Sequence, residues 1–219
     1  MNGVPTVNGL PTVRRVVVGI SGASGAIYGV RMLEVLGGLD DVETHAVITR
    51  GAATTLDHET RRKVADVEAL ADVVHDDADL GATIASGSFR VDGMVVAPCS
   101  IKTLSSIANC TDDSLLVRAA DVRLKERQPL VLLLRESPLH RGHLRLMTIA
   151  AESGAVIMPA VTAMYVQPAT VADLVDHTVM RVCDQLGVAT DLAPRWAGLA
   201  DASADDLTID ETIDERGEH

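Results

Sequence analysis

The stretch Gly19-Ile20-Ser21-Gly22-Ala23-Ser24-Gly25 joins a valine-dense run, Arg14–Ile20, to a segment in which Ala26, Tyr28, Val30, Leu33 and Leu36 recur at helical spacing. A buried strand, a glycine turn and a helix in that order aim backbone N–H groups and the positive end of a helix dipole at whatever sits above the strand end. The pattern is not G-x-G-x-x-G with a following acidic residue, and no Gly-Lys-Ser/Thr follows, so neither a dinucleotide fingerprint nor a P-loop is present. An anion site and a tight structural turn both fit. Among nucleotides, a mononucleotide fits better than NAD.

Arg118, Asp121 and Lys125 stand at i, i+3 and i+7 of a helical pattern and so share a face. They read as a salt-bridged solvated stripe or, with Arg135 and Arg181, as cations gathered for a small anion such as a phosphate ester. Arg135-Glu136 ends the run Leu130-Val131-Leu132-Leu133-Leu134. A carboxylate there either pairs with the arginine or, if burial raises its pKa, donates a proton. Glu59 in Asp57-His58-Glu59-Thr60 leaves the same two roles open, and by its place in the chain it ordinarily reads as a solvated loop acid. Cys99-Ser100 raises the question of a nucleophile, but no histidine is tied to it and a cysteine after a buried strand is usually inert. His140 and His143 alone have metal-ligand spacing, without a third ligand nearby, so no metal is expected. Ala85-Ser86-Gly87-Ser88 reads as a glycine–serine loop and a second phosphate contact.

Five apolar runs, residues 14–20, 42–49, 93–97, 130–134 and 155–158, read as strands. Helical patterns fall near residues 24–36, 66–74, 103–108, 114–126, 141–152 and 170–186. Their alternation predicts an α/β fold with a parallel sheet covered on both faces and a ligand crevice beyond the carboxyl ends of the strands. Gly22-Ala23-Ser24, Thr49-Arg50, Pro98-Cys99-Ser100, Arg135-Glu136 and residues 159–165 all follow a predicted strand, where that rule wants polar residues. In the last helix Val171, Leu174, Val175, Thr178, Val179, Val182 and Leu186 form the apolar face, with Arg181 at its border.

The 219 residues suit one domain, 14–196, between a flexible N-terminal segment, 1–13, and an acidic tail, 197–219. Apolar residues make up 47% of the chain and aromatic ones 2%, so the core is aliphatic. The net charge of −12 argues against nucleic acid or an anionic membrane as partner. Eight acids and one arginine lie in residues 201–218, so much of that excess is terminal and the tail reads as solvated. Three widely spaced cysteines, no signal-like start and no run of about 18 apolar residues point to a cytoplasmic protein outside the membrane.

These pieces together resemble the flavin prenyltransferases of the UbiX type, within the flavin-dependent cysteine-decarboxylase-like superfamily. The resemblance rests on the 19–25 and 85–89 stretches, Ala97-Pro98-Cys99-Ser100-Ile101-Lys102-Thr103-Leu104, Arg118-Ala119-Ala120-Asp121-Val122 with Leu124-Lys125-Glu126-Arg127, and Arg135-Glu136-Ser137-Pro138. His143-Leu144 with Met147, residues 159–165 with Gln167-Pro168, and Pro194-Arg195-Trp196 extend it over about residues 14–196. It implies a Rossmann-like (flavodoxin-like) three-layer sandwich that binds FMN. It also implies transfer of a dimethylallyl group from dimethylallyl monophosphate to N5 and C6 of the reduced flavin, without a metal. Members are typically homododecamers with sites between subunits, and their prenylated FMN serves UbiD-type decarboxylases.

Carried over by motif, Gly22, Ala23, Ser24, Thr49, Ser100, Ile101, Lys102, Thr103 and Arg135 would hold FMN. Arg118, Lys125, Arg135, Tyr165 and Arg181 would surround the prenyl phosphate. Glu136 would protonate the leaving phosphate or a neighbouring oxygen, Ser24 and Glu59 would assist proton removal at the flavin N5/C4a region, and Trp196 would close over the site. Three positions depart from the family pattern. Arg-Glu-Ser-Pro replaces Arg-Glu-Thr-Pro, Thr49 replaces a serine, and Met164-Tyr165-Val166 replaces Phe-Tyr-His, which removes an aromatic face beside the prenyl site. The alternatives are a direct flavin-dependent decarboxylase and a non-catalytic FMN-binding accessory subunit of an aromatic-acid decarboxylase.

Overall fold

The computed structural model describes residues 6–7, 10–11, 13–196 and 198. Six strands form one sheet: β1 (Arg14–Ile20), β2 (Val42–Ile48), β3 (Val73–His75), β4 (Gly93–Cys99), β5 (Leu130–Leu134) and β6 (Val156–Pro159). All pairs are parallel, in the order β3-β2-β1-β4-β5-β6. The helices are α1 (Ala26–Gly37), α2 (Arg50–Thr60), α3 (Val64–Glu68), α4 (Ile101–Ala108), α5 (Leu115–Lys125), α6 (Arg141–Glu152) and α7 (Val171–Gln185). Ahead of the sheet, Thr6–Val7 and Leu10–Pro11 pair antiparallel, where the sequence suggested only a flexible segment. The acidic tail beyond Gly198 lies outside the described residues.

Side-chain alternation along the strands builds two cores. Val16, Val18 and Ile20 of β1, with Val95, Ala97, Val131 and Leu133, pack under α1 and α7. Val17, with Met94, Val96, Leu130, Leu132 and Leu134, packs under α4, α5 and α6. The three layers match the predicted α/β sandwich.

Two elements depart from the sequence reading. The helix expected over residues 66–74 is only α3, and Val73–His75 pairs with β2 as an edge strand. Residues 50–60, where no helix was expected, form α2, whose apolar contribution is just Ala52 and Leu56. In α7, Val175, Thr178, Val179 and Val182 are buried as expected, as is Leu186 just after it, but Val171, in the first turn, is 75% exposed.

β1 pairs with both β2 and β4, so the chain leaves it in opposite directions and a crevice opens above its carboxyl end. Backbone bonds stitch that edge together: Thr49 N–H to Ile20 O, Arg135 N–H to Cys99 O and Ala160 N–H to Leu134 O. Ser21 adds a clamp, since its hydroxyl donates to the Pro98 carbonyl and accepts from the Ser100 amide, each at 2.8 Å.

Candidate active site

The amino ends of α1, α2 and α4 converge on the crevice. Thr49 caps α2 by accepting from the Ala52 amide at 3.2 Å, and Ser100 caps α4 by accepting from the Thr103 amide at 3.1 Å. The Ser100 hydroxyl in turn donates to Thr103 Oγ1 at 3.0 Å. The first-turn amides of Ile101 and Lys102 have no intrahelical acceptor and lie at the crevice. Gly22 passes so close to α2 that a Cβ would come within 2.9 Å of the Gly51 carbonyl carbon. Gly25, at φ 99°, turns the chain into α1 without a side-chain cap of its own.

Glu59 supplies that cap from the last turn of α2. Its Oε2 accepts from the Gly25 amide at 2.8 Å and the Ala26 amide at 3.0 Å, and the Ser24 hydroxyl also bonds to it. Partial burial pushes the carboxyl pKa up, but the bonds from Ser24, Ala26 and Gly25 outweigh it and hold the group below its ordinary value. The structure thus brings Ser24 and Glu59 together, and Glu59 is a helical residue, not a loop acid. The anion on α1 is the chain's own carboxylate, so a phosphate has the ends of α2 and α4.

Arg135 and Glu136 emerge exposed where β5 ends. They do not pair. Glu136 accepts instead from the Ser137 amide at 3.1 Å. Cys99 is fully buried inside β4, and burial pushes its thiol up to about 12, unsuited to nucleophilic chemistry.

The remaining cations lie elsewhere. Arg118 donates to Asp112 and Asp121 at 2.9 Å and to the Ala85 carbonyl at 3.2 Å, which ties α5 to the glycine–serine loop. Lys125 pairs with Glu126, not Asp121, beside Gly87. Pro129 O accepts from Met94 N–H at the foot of β4, so Lys125 sits near the amino ends of the strands. Arg135 stands just past the other end of β5, a strand of five residues about 16 Å long. On α7, Arg181 pairs with Asp184 at 2.8 Å, and Asp184 also holds Arg195. Tyr165 reaches α7 through its hydroxyl, 3.1 Å from His177 Nε2, while Trp196 packs edge-on against the Tyr165 ring at 5.5 Å. The predicted residues therefore form three clusters in one chain: the crevice, the α5 cations and the Tyr165–Trp196 group.

A family model described as Flavoprotein matches residues 7–183. Flavin prenyltransferase UbiX of Escherichia coli (strain K12) is 58% identical over 187 residues, covering 84% of this chain and 99% of that protein. Its counterpart from Thauera aromatica is 55% identical over 184 residues, covering 84% and 94%. The chain belongs to the UbiX family of flavin prenyltransferases. Among solved structures, AnUbiX (PadA1) in complex with FMN and dimethylallyl pyrophosphate is 46% identical with a TM-score of 0.83, covering 84% of this chain and 98% of that one. The dodecameric FMN-dependent UbiX-like decarboxylase from Escherichia coli O157:H7 is 48% identical with a TM-score of 0.82, covering 84% and 100%.

The crevice of this UbiX-family chain suits FMN on its own geometry. It offers two capped helix ends for a phosphate, a glycine where no Cβ fits, and the exposed cations Lys102 and Arg135. A cavity of about 600 Å³ adjoins it between α4 and α6, lined by Ile101, Lys102, Ser105, His140, His143 and Leu146 among others. Among the described residues no group of three or more His, Cys, Asp or Glu could hold a metal ion, and no helix is long and apolar enough to cross a membrane. Sequence reasoning passed over two residues that shape the site, Ser21 and His177. Ser21 carried no signal beyond its place in the turn. His177 stands four residues before Arg181, on one face of α7, which was the available cue.

Proposed function

We propose that the protein transfers a dimethylallyl group from dimethylallyl monophosphate to N5 and C6 of reduced FMN, releasing phosphate, and supplies the prenylated FMN to a UbiD-type decarboxylase. The observation that carries this reading is the meeting of three helix amino ends, the Ser24–Glu59 contact and the Arg135–Glu136 exit at one switch-point crevice. When bound, the reduced flavin supplies two nucleophilic positions and the allylic phosphate a C5 electrophile. Thr49, Ser100, Ile101, Lys102, Thr103 and Arg135 orient the flavin phosphate and ring, with Gly22 and Ala23 allowing close approach. Ser24 passes its hydroxyl proton to the ionised Glu59 as it accepts one released near the acceptor atoms, so the proton ends on the carboxylate. Glu136, exposed in the single chain, is covered in the oligomer and there gives a proton to the departing phosphate. Arg118, Lys125, Arg135, Arg181 and Tyr165 neutralise the charge that grows on it, and Trp196 shields the allylic centre from water.

Lys125 and Arg135 lie at opposite ends of β5, so one chain alone does not gather these cations. We therefore assign the complete site to a homo-oligomer, a dodecamer like the Escherichia coli O157:H7 relative, in which a neighbour's α5 meets the crevice. The compartment we assign is the cytoplasm.

The test is anaerobic incubation of purified protein with reduced FMN and either dimethylallyl monophosphate or dimethylallyl pyrophosphate, followed by mass analysis of the released flavin. Gain of one C5 unit from the monophosphate, lost in Glu136→Gln, supports the reading. Gain from the pyrophosphate alone reassigns the donor. An unchanged flavin in protein that binds FMN overturns the transferase.

A further inference from the structure

We propose that His177 is a positioning residue for prenyl transfer, whose Nε2–H holds the Tyr165 hydroxyl so that the phenol hydrogen faces the prenyl phosphate. The inference rests on the functional reading above. Tyr165 is 54% exposed, whereas His177 is 6% exposed, so a buried imidazole anchors a phenol that is otherwise open to ligand. Their polar atoms are 3.1 Å apart and their rings stand edge to face at 5.7 Å and 85°. Trp196 also packs edge-on against the phenol ring, at 5.5 Å and 81°.

The phenol has a single hydrogen. If the imidazole accepts it, Tyr165 presents only lone pairs to an incoming phosphate, which repel it. If the imidazole donates through Nε2, the phenol oxygen is satisfied from within and its hydrogen is free for a phosphate oxygen. The surroundings of His177 favour an uncharged ring. Burial and the facing Arg181 guanidinium push its pKa below the ordinary histidine value, against the weaker opposing pull of Asp184. Arg181, one turn along α7, is itself held by Asp184, which also takes Arg195. The segment containing Tyr165 and the one containing Trp196 are thus both tied to α7, by His177 and by Asp184.

The experiment has two parts. Nitrogen-15 NMR of histidine-labelled wild-type protein reads the tautomer directly: a protonated Nε2 at neutral pH is expected, and an unprotonated Nε2 overturns the proposal. Turnover is then measured with reduced FMN and dimethylallyl monophosphate in His177→Leu, His177→Gln, Tyr165→Phe and the Leu/Phe double variant. His177→Leu should lower kcat about tenfold, the worth of one hydrogen bond, with FMN affinity unchanged. His177→Gln, which keeps an N–H donor, should recover most of that loss. In the Tyr165→Phe background His177→Leu should cost little more, because the two act as one unit. Equal losses in both backgrounds, or no recovery by glutamine, overturn the proposal. A wild-type protein that leaves the flavin unprenylated overturns the functional reading instead.

Discussion

Glu59 closes the helix that Gly25 opens: its Oε2 takes the Gly25 amide at 2.8 Å, and the Ser24 hydroxyl bonds to the same carboxylate. One acid therefore does two jobs. It supplies the negative charge that the α1 dipole favours, and it holds Ser24 at the crevice in a fixed relation to the ends of α2 and α4.

Loss of that contact should separate binding from chemistry. Glu59→Ala removes the cap of α1 and should cost about 1 kcal/mol, lowering Tm by roughly 3 °C. Glu59→Gln keeps an acceptor but not the charge, and should fold with FMN affinity near wild type. Prenylation should fall in both variants, by about a hundredfold if Ser24 and Glu59 carry the proton. Differential scanning calorimetry, FMN titration and turnover on the same three proteins read the three effects separately.

The same carboxyl sets an acid limit on stability. The Glu59 pKa is lowered on folding, so the unfolded chain binds the proton more readily than the native one. Its contribution is fully present above its unfolded value near 4.5 and is lost as pH falls through the lower native value. Asp72 behaves alike, held below its ordinary value by the Thr44 amide and hydroxyl where β3 joins the sheet. Urea midpoints of wild type and Glu59→Gln should therefore differ at neutral pH and converge as pH drops to about 3. A constant gap over that range would show that the charge is not what stabilises α1.

Cysteine chemistry should be confined to Cys110. It is exposed, whereas burial pushes Cys99 up to about 12 and Cys183 up to about 11. Native protein treated with iodoacetamide at mildly alkaline pH should gain one adduct, located on Cys110 by peptide mapping. Cys99→Ala should retain prenylation within about threefold, since no covalent step uses the thiol. A second adduct on Cys99, or loss of turnover in the alanine variant, would count against this.

Most of the sheet was legible because its strands are continuous aliphatic runs: Val16-Val17-Val18 in β1 and the five residues of β5 leave no competing pattern. β3 was not, since Val73 and Val74 also continue a helical periodicity from Val67 and Leu70, and only pairing with His45 and Ala46 decides between them. Without β3 the strand order is that of a flavodoxin; with it the order is the six-stranded Rossmann one. α2 was hidden because it buries only Ala52 and Leu56, too few for an apolar stripe. At the site, Thr49 and Ser100 could be read as polar residues at strand ends. The Glu59 cap could not, because it depends on α2 bringing residue 59 back to residue 25. His177 was masked by lying among the buried residues of α7, where a lone histidine reads as core.

The separation of Lys125 from Arg135 along β5 gives the sharpest test of the oligomeric site. If each crevice is completed by a neighbour's α5, Lys125→Ala and Glu136→Gln damage the same site from different chains. Each homo-oligomer should then be nearly inactive. Subunits mixed, dissociated and reassembled would place a wild-type Lys125 beside a wild-type Glu136 in a fraction of sites, and the hybrids should regain about a quarter of wild-type turnover for random two-chain sites. A site made within one chain predicts no recovery at any mixing ratio, because every chain then carries a lesion in its own site. Measuring turnover against mixing ratio, with native mass spectrometry to confirm hybrid assemblies, distinguishes the two. The recovery curve should peak at equal amounts, since only there is the product of the two subunit fractions greatest.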